Sequence, residues 1–162
     1  MSGYSRGGAD MAVNGKSILV DNLENGFDIY ELDSPFPIRS FLIPSSIAKH
    51  RVKQGVFAEF LRFVACGSDH GKVYIFDVAT SEKVGILEHG KANTFVQTIQ
   101  AFHDRGKGRT VIASGDRETK AEICLWERNI FVSISNRRLL HPSRNACSPT
   151  SVTPRKAGSE AR

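Results

Sequence analysis

Between about residue 12 and residue 127 the chain is a succession of short apolar runs, rich in Val, Ile, Phe and Tyr, separated by clusters of Gly, Asn, Asp or Pro. Runs of this length and residue type predict β-strands and the clusters predict turns, while the spacing of an amphipathic helix is nearly absent. The clearest runs are Ser17 to Val20, Phe27 to Leu32, Ile38 to Ile43, Phe63 to Cys66, Val73 to Val78, Val84 to Leu87, Val96 to Phe102, Val111 to Ser114 and Ile123 to Trp126. Nine short strands at this spacing predict antiparallel meanders.

The runs also repeat. Residues 17 to 30, SILVDNLENGFDIY, lie without gaps on residues 63 to 76, FVACGSDHGKVYIF, at a shift of 46. Residues 111 to 126, VIASGDRETKAEICLW, join the same register with two extra residues in the turn, so three copies are legible. A fixed period of this size marks a repeated supersecondary unit. The aligned columns hold Phe27, Val73 and Ile123, then Ile29, Ile75 and Leu125, then Tyr30, Phe76 and Trp126, and finally the acids Glu31, Asp77 and Glu127. Successive strand residues point to opposite faces, so Val73 and Ile75 line one face, Tyr74 and Phe76 the other, and the strand is apolar on both. Such a strand is sandwiched. Small sheets stacked radially on copies of themselves cover both faces of each strand, whereas a simple two-layer sandwich leaves one face polar. Phe27, Ile29, Tyr30, Val73, Ile75, Phe76, Ile123 and Leu125 are therefore the expected blade core.

These residues resemble the WD-repeat family of β-propellers. ACGSDHGKVYIFDV at 65 to 78 resembles the family's strand, Gly-Ser turn, strand and aromatic-Asp ending, and ASGDRETKAEICLWER at 113 to 128 repeats it with Trp126. LEHG at 87 to 90 is similar to the Gly-His element that precedes the next repeat, with the order inverted. The resemblance covers roughly residues 12 to 128 and implies an all-β fold: an incomplete propeller of about three four-stranded antiparallel blades, at about 12-43, 52-87 and 94-134, the first and last incomplete. It also implies a network in the third copy joining His89, Ser114 and Trp126, with the indole N–H near the other two. Lys120 stands where the family has Asp, leaving Asp116 or Glu118 as a substitute acid. In the second copy Phe76, His70 and Cys66 occupy the Trp, Asp and Ser positions, so the network cannot form there. Closed propellers have about 4 to 8 blades of roughly 40 to 45 residues, more than three copies supply. A truncated or incomplete propeller with open end faces, prone to self-association toward a six-blade ring or to aggregation, is the expectation.

Composition changes this picture little until the C-terminal end. The 162 residues are 40% apolar and 9% aromatic, ordinary values for a globular chain. Residues 1 to 127 hold 15 basic and 16 acidic residues, while residues 128 to 162 hold 7 and 1, so the net charge of +5 belongs to the tail. That tail also holds Pro142, Pro149 and Pro154 amid Ser, Arg and Ala. A possible last strand at Ile130 to Ile134 is followed by a composition that predicts disorder over 136-162. A flexible segment is likewise expected at 1-11, leaving 12-135 as the folded region. Ser148-Pro149 and Thr153-Pro154 have the form of proline-directed phosphorylation sites, placing Ser148 and Thr153 as modification candidates.

Candidate chemistry is sparse. Cys66, Cys124 and Cys147 form no C-x-x-C pair, and His50, His70, His89, His103 and His141 show no metal-ligand spacing, so no metal and no disulfide framework is indicated. Ser68, Asp69 and His70 offer the residue types of a hydrolytic triad, but neighbours on one turn point in different directions and the turn reading prevails. DRGKGR at 104 to 109 lacks the phosphate-loop pattern and reads as a polar hairpin turn. No apolar run reaches the roughly 20 residues of a membrane-spanning helix. The expected protein is intracellular, cytoplasmic or nuclear, needs no cofactor, is not an enzyme, and acts as a scaffold for other proteins. The alternative is a nucleic-acid or acidic-surface binder working through residues 137 to 156, with steeply salt-dependent affinity.

Overall fold

The computed structural model describes residues 8–44, 51–116 and 121–129, and all regular structure among them is β. Three antiparallel sheets follow one another along the chain. The first contains β1 (Ala9–Met11), β2 (Ser17–Asp21), β3 (Gly26–Glu31) and β4 (Pro37–Leu42), in that order. The second contains β5 (Gly55–Ala58), β6 (Phe63–Gly67), β7 (Lys72–Asp77) and β8 (Lys83–Glu88), and the third β9 (Val96–Asp104), β10 (Arg109–Asp116) and β11 (Ile123–Asn129). The sequence period is kept strand for strand. β2, β3 and β4 begin at Ser17, Gly26 and Pro37, and β6, β7 and β8 begin 46 residues later at Phe63, Lys72 and Lys83. Even the register shifts correspond, at Ile29/Tyr30 and at Ile75/Phe76.

Stacking follows from the two-sided apolar pattern. Leu19, Phe27, Ile29, Phe41 and Ile43 of the first sheet pack against Val64, Cys66, Tyr74 and Phe76 of the second. The opposite face of the second sheet, with Val56, Ala58, Phe63, Ala65, Val73 and Ile75, packs on Val96 and Ile99, and Ala101 and Ile112 support that layer. The middle sheet is thus covered on both sides. Burying a side chain of this size stabilises by about 1.5–3 kcal/mol, so the two layers supply most of the folding drive.

Polar groups align the inner strands. Strand β5 meets β1 and β2 on one side and β9 on the other. Asp10 Oδ2 accepts the Phe57 N–H at 2.9 Å, Asp21 Oδ2 accepts the Lys53 N–H at 2.6 Å, and Gln54 Oε1 accepts the Ile99 N–H at 3.0 Å. Edge strands present unpaired backbone groups, and these side chains satisfy them while fixing each sheet against the next. The Lys53 Nζ also lies 3.4 Å from Asp21 Oδ1, an ion pair with both side chains buried.

The structure corrects several expectations. Residues 1-11 were expected to be flexible, yet Ala9–Met11 is a strand paired with β2, because Asp10 is held by the β5 backbone rather than by an apolar pattern legible in sequence. Strand β5 is a further addition to the nine runs, and the first sheet has its full four strands. The third sheet has three among the described residues. Ile123 and Leu125, expected in the core, are 65% and 66% exposed. They occupy the columns of Val73 and Ile75, but no described element lies on their side of the third sheet. Tyr30, on the outer side of the first sheet, is only half-buried for the same reason, while Phe27, Ile29, Val73, Ile75 and Phe76 are buried. The expectations for 130–134 and 136–162, with Ser148 and Thr153, and those at His50, Glu118, Lys120, His141 and Cys147, lie outside the described residues.

Candidate interaction surface

The junction between the second and third sheets is organised around His89, in the link between β8 and β9. Its Nδ1 lies 2.6 Å from Ser114 Oγ and its Nε2 lies 3.4 Å from Asp116 Oδ2, with the imidazole fully buried. Its carbonyl oxygen accepts a weak bond from the Cys124 thiol at 3.6 Å. Its N–H and that of Gly90 both donate to the Gly71 carbonyl, which ties the link to the turn between β6 and β7. Gly71 has φ +76, and a Cβ there would run into the Lys91 and Gly90 carbonyls, so the close approach requires glycine.

The structure brings His89 and Ser114 together, with Asp116 at the other ring nitrogen of His89. Trp126 departs from the expectation. It is half-buried, with its ring centroid 6.2 Å from that of His89, and both imidazole nitrogens are directed to Ser114 and Asp116. The indole meets the network through this ring contact, from strand β11 at one side of the three strands described in its sheet.

In the second sheet a different set replaces the missing network. Asp69 Oδ1 lies 2.9 Å from His70 Nδ1, and His70 Nε2 lies 2.7 Å from the Tyr74 hydroxyl. Burial pushes the Tyr74 hydroxyl above its ordinary pKa. Ser68 is fully buried, donates from Oγ to the Lys72 carbonyl at 2.7 Å, and accepts the Lys72 N–H at 3.1 Å. The serine hydroxyl thus closes its own turn and is committed away from the imidazole. Likewise Asp104 Oδ1 accepts the Lys107 N–H at 3.1 Å, which makes residues 104 to 109 a capped hairpin turn. Asp77 Oδ1 caps the turn after β7 by accepting the Ala79 and Thr80 N–H groups, so the acid after each aromatic column has a turn-closing use in this copy.

With these groups engaged inside the fold, the outward chemistry sits on the two end faces. On the third sheet the register places Val111 beside Phe102 and Ala113 beside Leu125, with Gly115 opposite Ile123. Partners in register share a face, so Phe102, Val111, Ala113, Leu125 and Ile123 form one apolar field on the side away from the core. Phe102 is 64% exposed. The field is bordered by Arg109, whose Nη1 lies 3.1 Å from Glu127 Oε1, and by the exposed Thr98 and Gln100. On the first sheet the outward side carries Met11, Ile18, Val20, Tyr30 and Leu42, with Leu42 66% exposed. Within it lies Asp28, in register between Val20 and Ser40. Asp28 is only 9% exposed, and among the described residues its Oδ1 has no hydrogen-bond partner. Neither Asp28 nor Phe102 was singled out by sequence reasoning; the interruption of an apolar column by Asp28, where the next copy has Tyr74, was the available signal.

Among the described residues no group of three or more His, Cys, Asp or Glu side chains is placed to hold a metal ion, and no helix is long and apolar enough to cross a membrane. No protein-family model matches the chain, and no curated protein matches it. Among solved structures, a chain of the crystal structure of the mitotic checkpoint complex is similar with a TM-score of 0.55 at 17% identity, over 82% of this chain and 37% of that one. The present chain thus spans little more than a third of that chain's length. The fold is all-β, three antiparallel sheets stacked as in an incomplete propeller, and it is similar to that of a chain in the mitotic checkpoint complex.

Proposed function

We propose that the protein is a non-catalytic interaction module that docks protein partners through the sheet faces left open by its described elements, foremost the outer face of the third sheet. The observation that carries this reading is the field of Phe102, Val111, Ala113, Ile123 and Leu125, on which Phe102, Ile123 and Leu125 are exposed and which is bordered by polar groups. Contiguous exposed apolar surface on a folded chain marks a place where another macromolecule docks. The similarity in fold to a chain from a multiprotein complex supports the same class of role. The Ser68 hydroxyl and both ring nitrogens of His70 are engaged by other groups of the chain.

Affinity capture from cell extract with the full chain, followed by identification and a direct binding measurement with the purified partner, tests the proposal. Leu125→Arg places a charge in the middle of the field without touching the core, and loss of at least about 100-fold in affinity, roughly 2.7 kcal/mol, is expected. Equal affinity of the variant overturns the reading. So does binding carried by residues 137 to 156 alone, falling steeply with salt, which is the signature of the nucleic-acid alternative.

A further inference from the structure

We infer, resting on the reading that the open faces are binding sites, that the occupant of both is a second copy of this chain, arranged head to tail. The outer face of the third sheet in one protomer covers the outer face of the first sheet in its partner, and two such contacts close six sheets into a ring.

The first support is continuity with the junctions inside the chain. Both internal junctions have the same polarity: the Phe27/Ile29 side of the first sheet meets the Tyr74/Phe76 side of the second, and the Val73/Ile75 side of the second meets the third. The stack therefore leaves one face of each kind. Ile123 and Leu125 stand in the columns of Val73 and Ile75, while Ile18, Val20, Asp28 and Tyr30 stand in the columns of Val64, Cys66, Tyr74 and Phe76. Putting the third sheet on a partner's first sheet repeats the junction already used twice. Six sheets lie within the range of about 4 to 8 that closes a propeller.

The second support is Asp28. The Asp28 Oδ1, buried with no partner among the described residues, is costly to leave unpaired, and a donor on the opposing face satisfies it. The outer face of the third sheet carries the exposed hydroxyl of Thr98 and the exposed amide of Gln100 beside its apolar field. The symmetric alternatives fare worse. First sheet on first sheet would set one Asp28 carboxylate against another, and like charges in a desolvated layer repel. Third sheet on third sheet would leave every Asp28 without a donor.

Sedimentation of the full chain and of two variants tests the arrangement. Leu125→Arg and Leu42→Arg each block one face, and both positions are about two-thirds exposed, so the protomer fold is retained and circular dichroism checks it. The wild-type chain is expected to sediment as a dimer whose mass does not rise further with concentration. Each variant alone is expected to be a monomer. An equimolar mixture of the two is expected to regain a dimer, at least about 100-fold weaker than wild type, because only one contact can form and the closure is lost. A monomeric wild type, an open-ended polymer, a dimer retained by either variant alone, or a mixture that stays monomeric overturns the inference. Failure here with capture of another protein still abolished by Leu125→Arg removes the second-copy assignment and leaves the interaction reading standing.

Discussion

Gly55→Ala is the most direct probe of how the first sheet packs on the second. A Cβ at this position would stand 2.8 Å from Phe27 Cε1, 2.9 Å from Phe27 Cδ1 and 3.0 Å from Leu19 Cδ2. Phe27 and Leu19 are both 0% exposed, within the layer that also contains Phe41 and Ile29, so neither can move aside without displacing its neighbours. Overpacking of this kind costs about 1–3 kcal/mol. With a urea slope of roughly 2 kcal/mol per molar, typical of a small domain, a cost of about 2 kcal/mol lowers the unfolding midpoint by about 1 M at unchanged slope. Phe27→Leu removes the nearest ring atom and costs about 1–2 kcal/mol alone through lost packing. Because the two changes share one contact, the double variant should be less destabilised than the sum by about 1 kcal/mol. Urea unfolding followed by circular dichroism at equilibrium measures all four chains. A Gly55→Ala chain within about 0.5 kcal/mol of wild type, or costs that simply add, would refute the packing of Phe27 onto β5.

Lys53→Met leaves the Asp21 carboxylate buried with only its backbone donors, so a loss of about 3–5 kcal/mol in urea unfolding is expected, and a loss under about 1 kcal/mol would show that the pair is not buried. Ser114→Ala deprives His89 Nδ1 of its partner and should cost about 1–3 kcal/mol, whereas Asp69→Ala, on the part-buried turn of the second sheet, should cost less in the same assay. Burial raises the Cys66 thiol well above its ordinary value of 9.0, with the Asp21 carboxylate adding to the effect. The unfolded thiol therefore ionises first, so this contribution to stability is present below pH 9.0 and is lost as pH rises above it. Alkylation followed by peptide mapping should find Cys66 and Cys124, both buried, protected until the chain unfolds, and rapid labelling of Cys66 in the native chain would contradict the stacking of the first two sheets.

The repeat itself was legible in the sequence because it is a matter of spacing. A shift of 46 residues aligned Tyr30 with Phe76, and β2, β3 and β4 recur to the residue as β6, β7 and β8. Apolar side chains on both faces of β7 required cover on both sides, which local pattern alone could state, and the tertiary structure supplies it from the first and third sheets. What the pattern could not state is which copy has a neighbour. Ile123 and Leu125 carry the same apolar signature as Val73 and Ile75, yet one pair is exposed and the other buried, because burial depends on the next layer and not on the strand. Strands β1 and β5 escaped notice for a related reason: Ala9–Met11 is held in its sheet by backbone pairing and by the bond between Asp10 and Phe57, a partner far along the chain. The candidate site divides in the same way. His89 and Ser114 were identifiable by their place in the repeat, but their 2.6 Å contact, the buried carboxylate of Asp28 and the field around Leu125 arise only when separate strands are brought into register. Sequence periodicity determined the unit that repeats, and the finite stack of sheets decided which surfaces are core and which face outward.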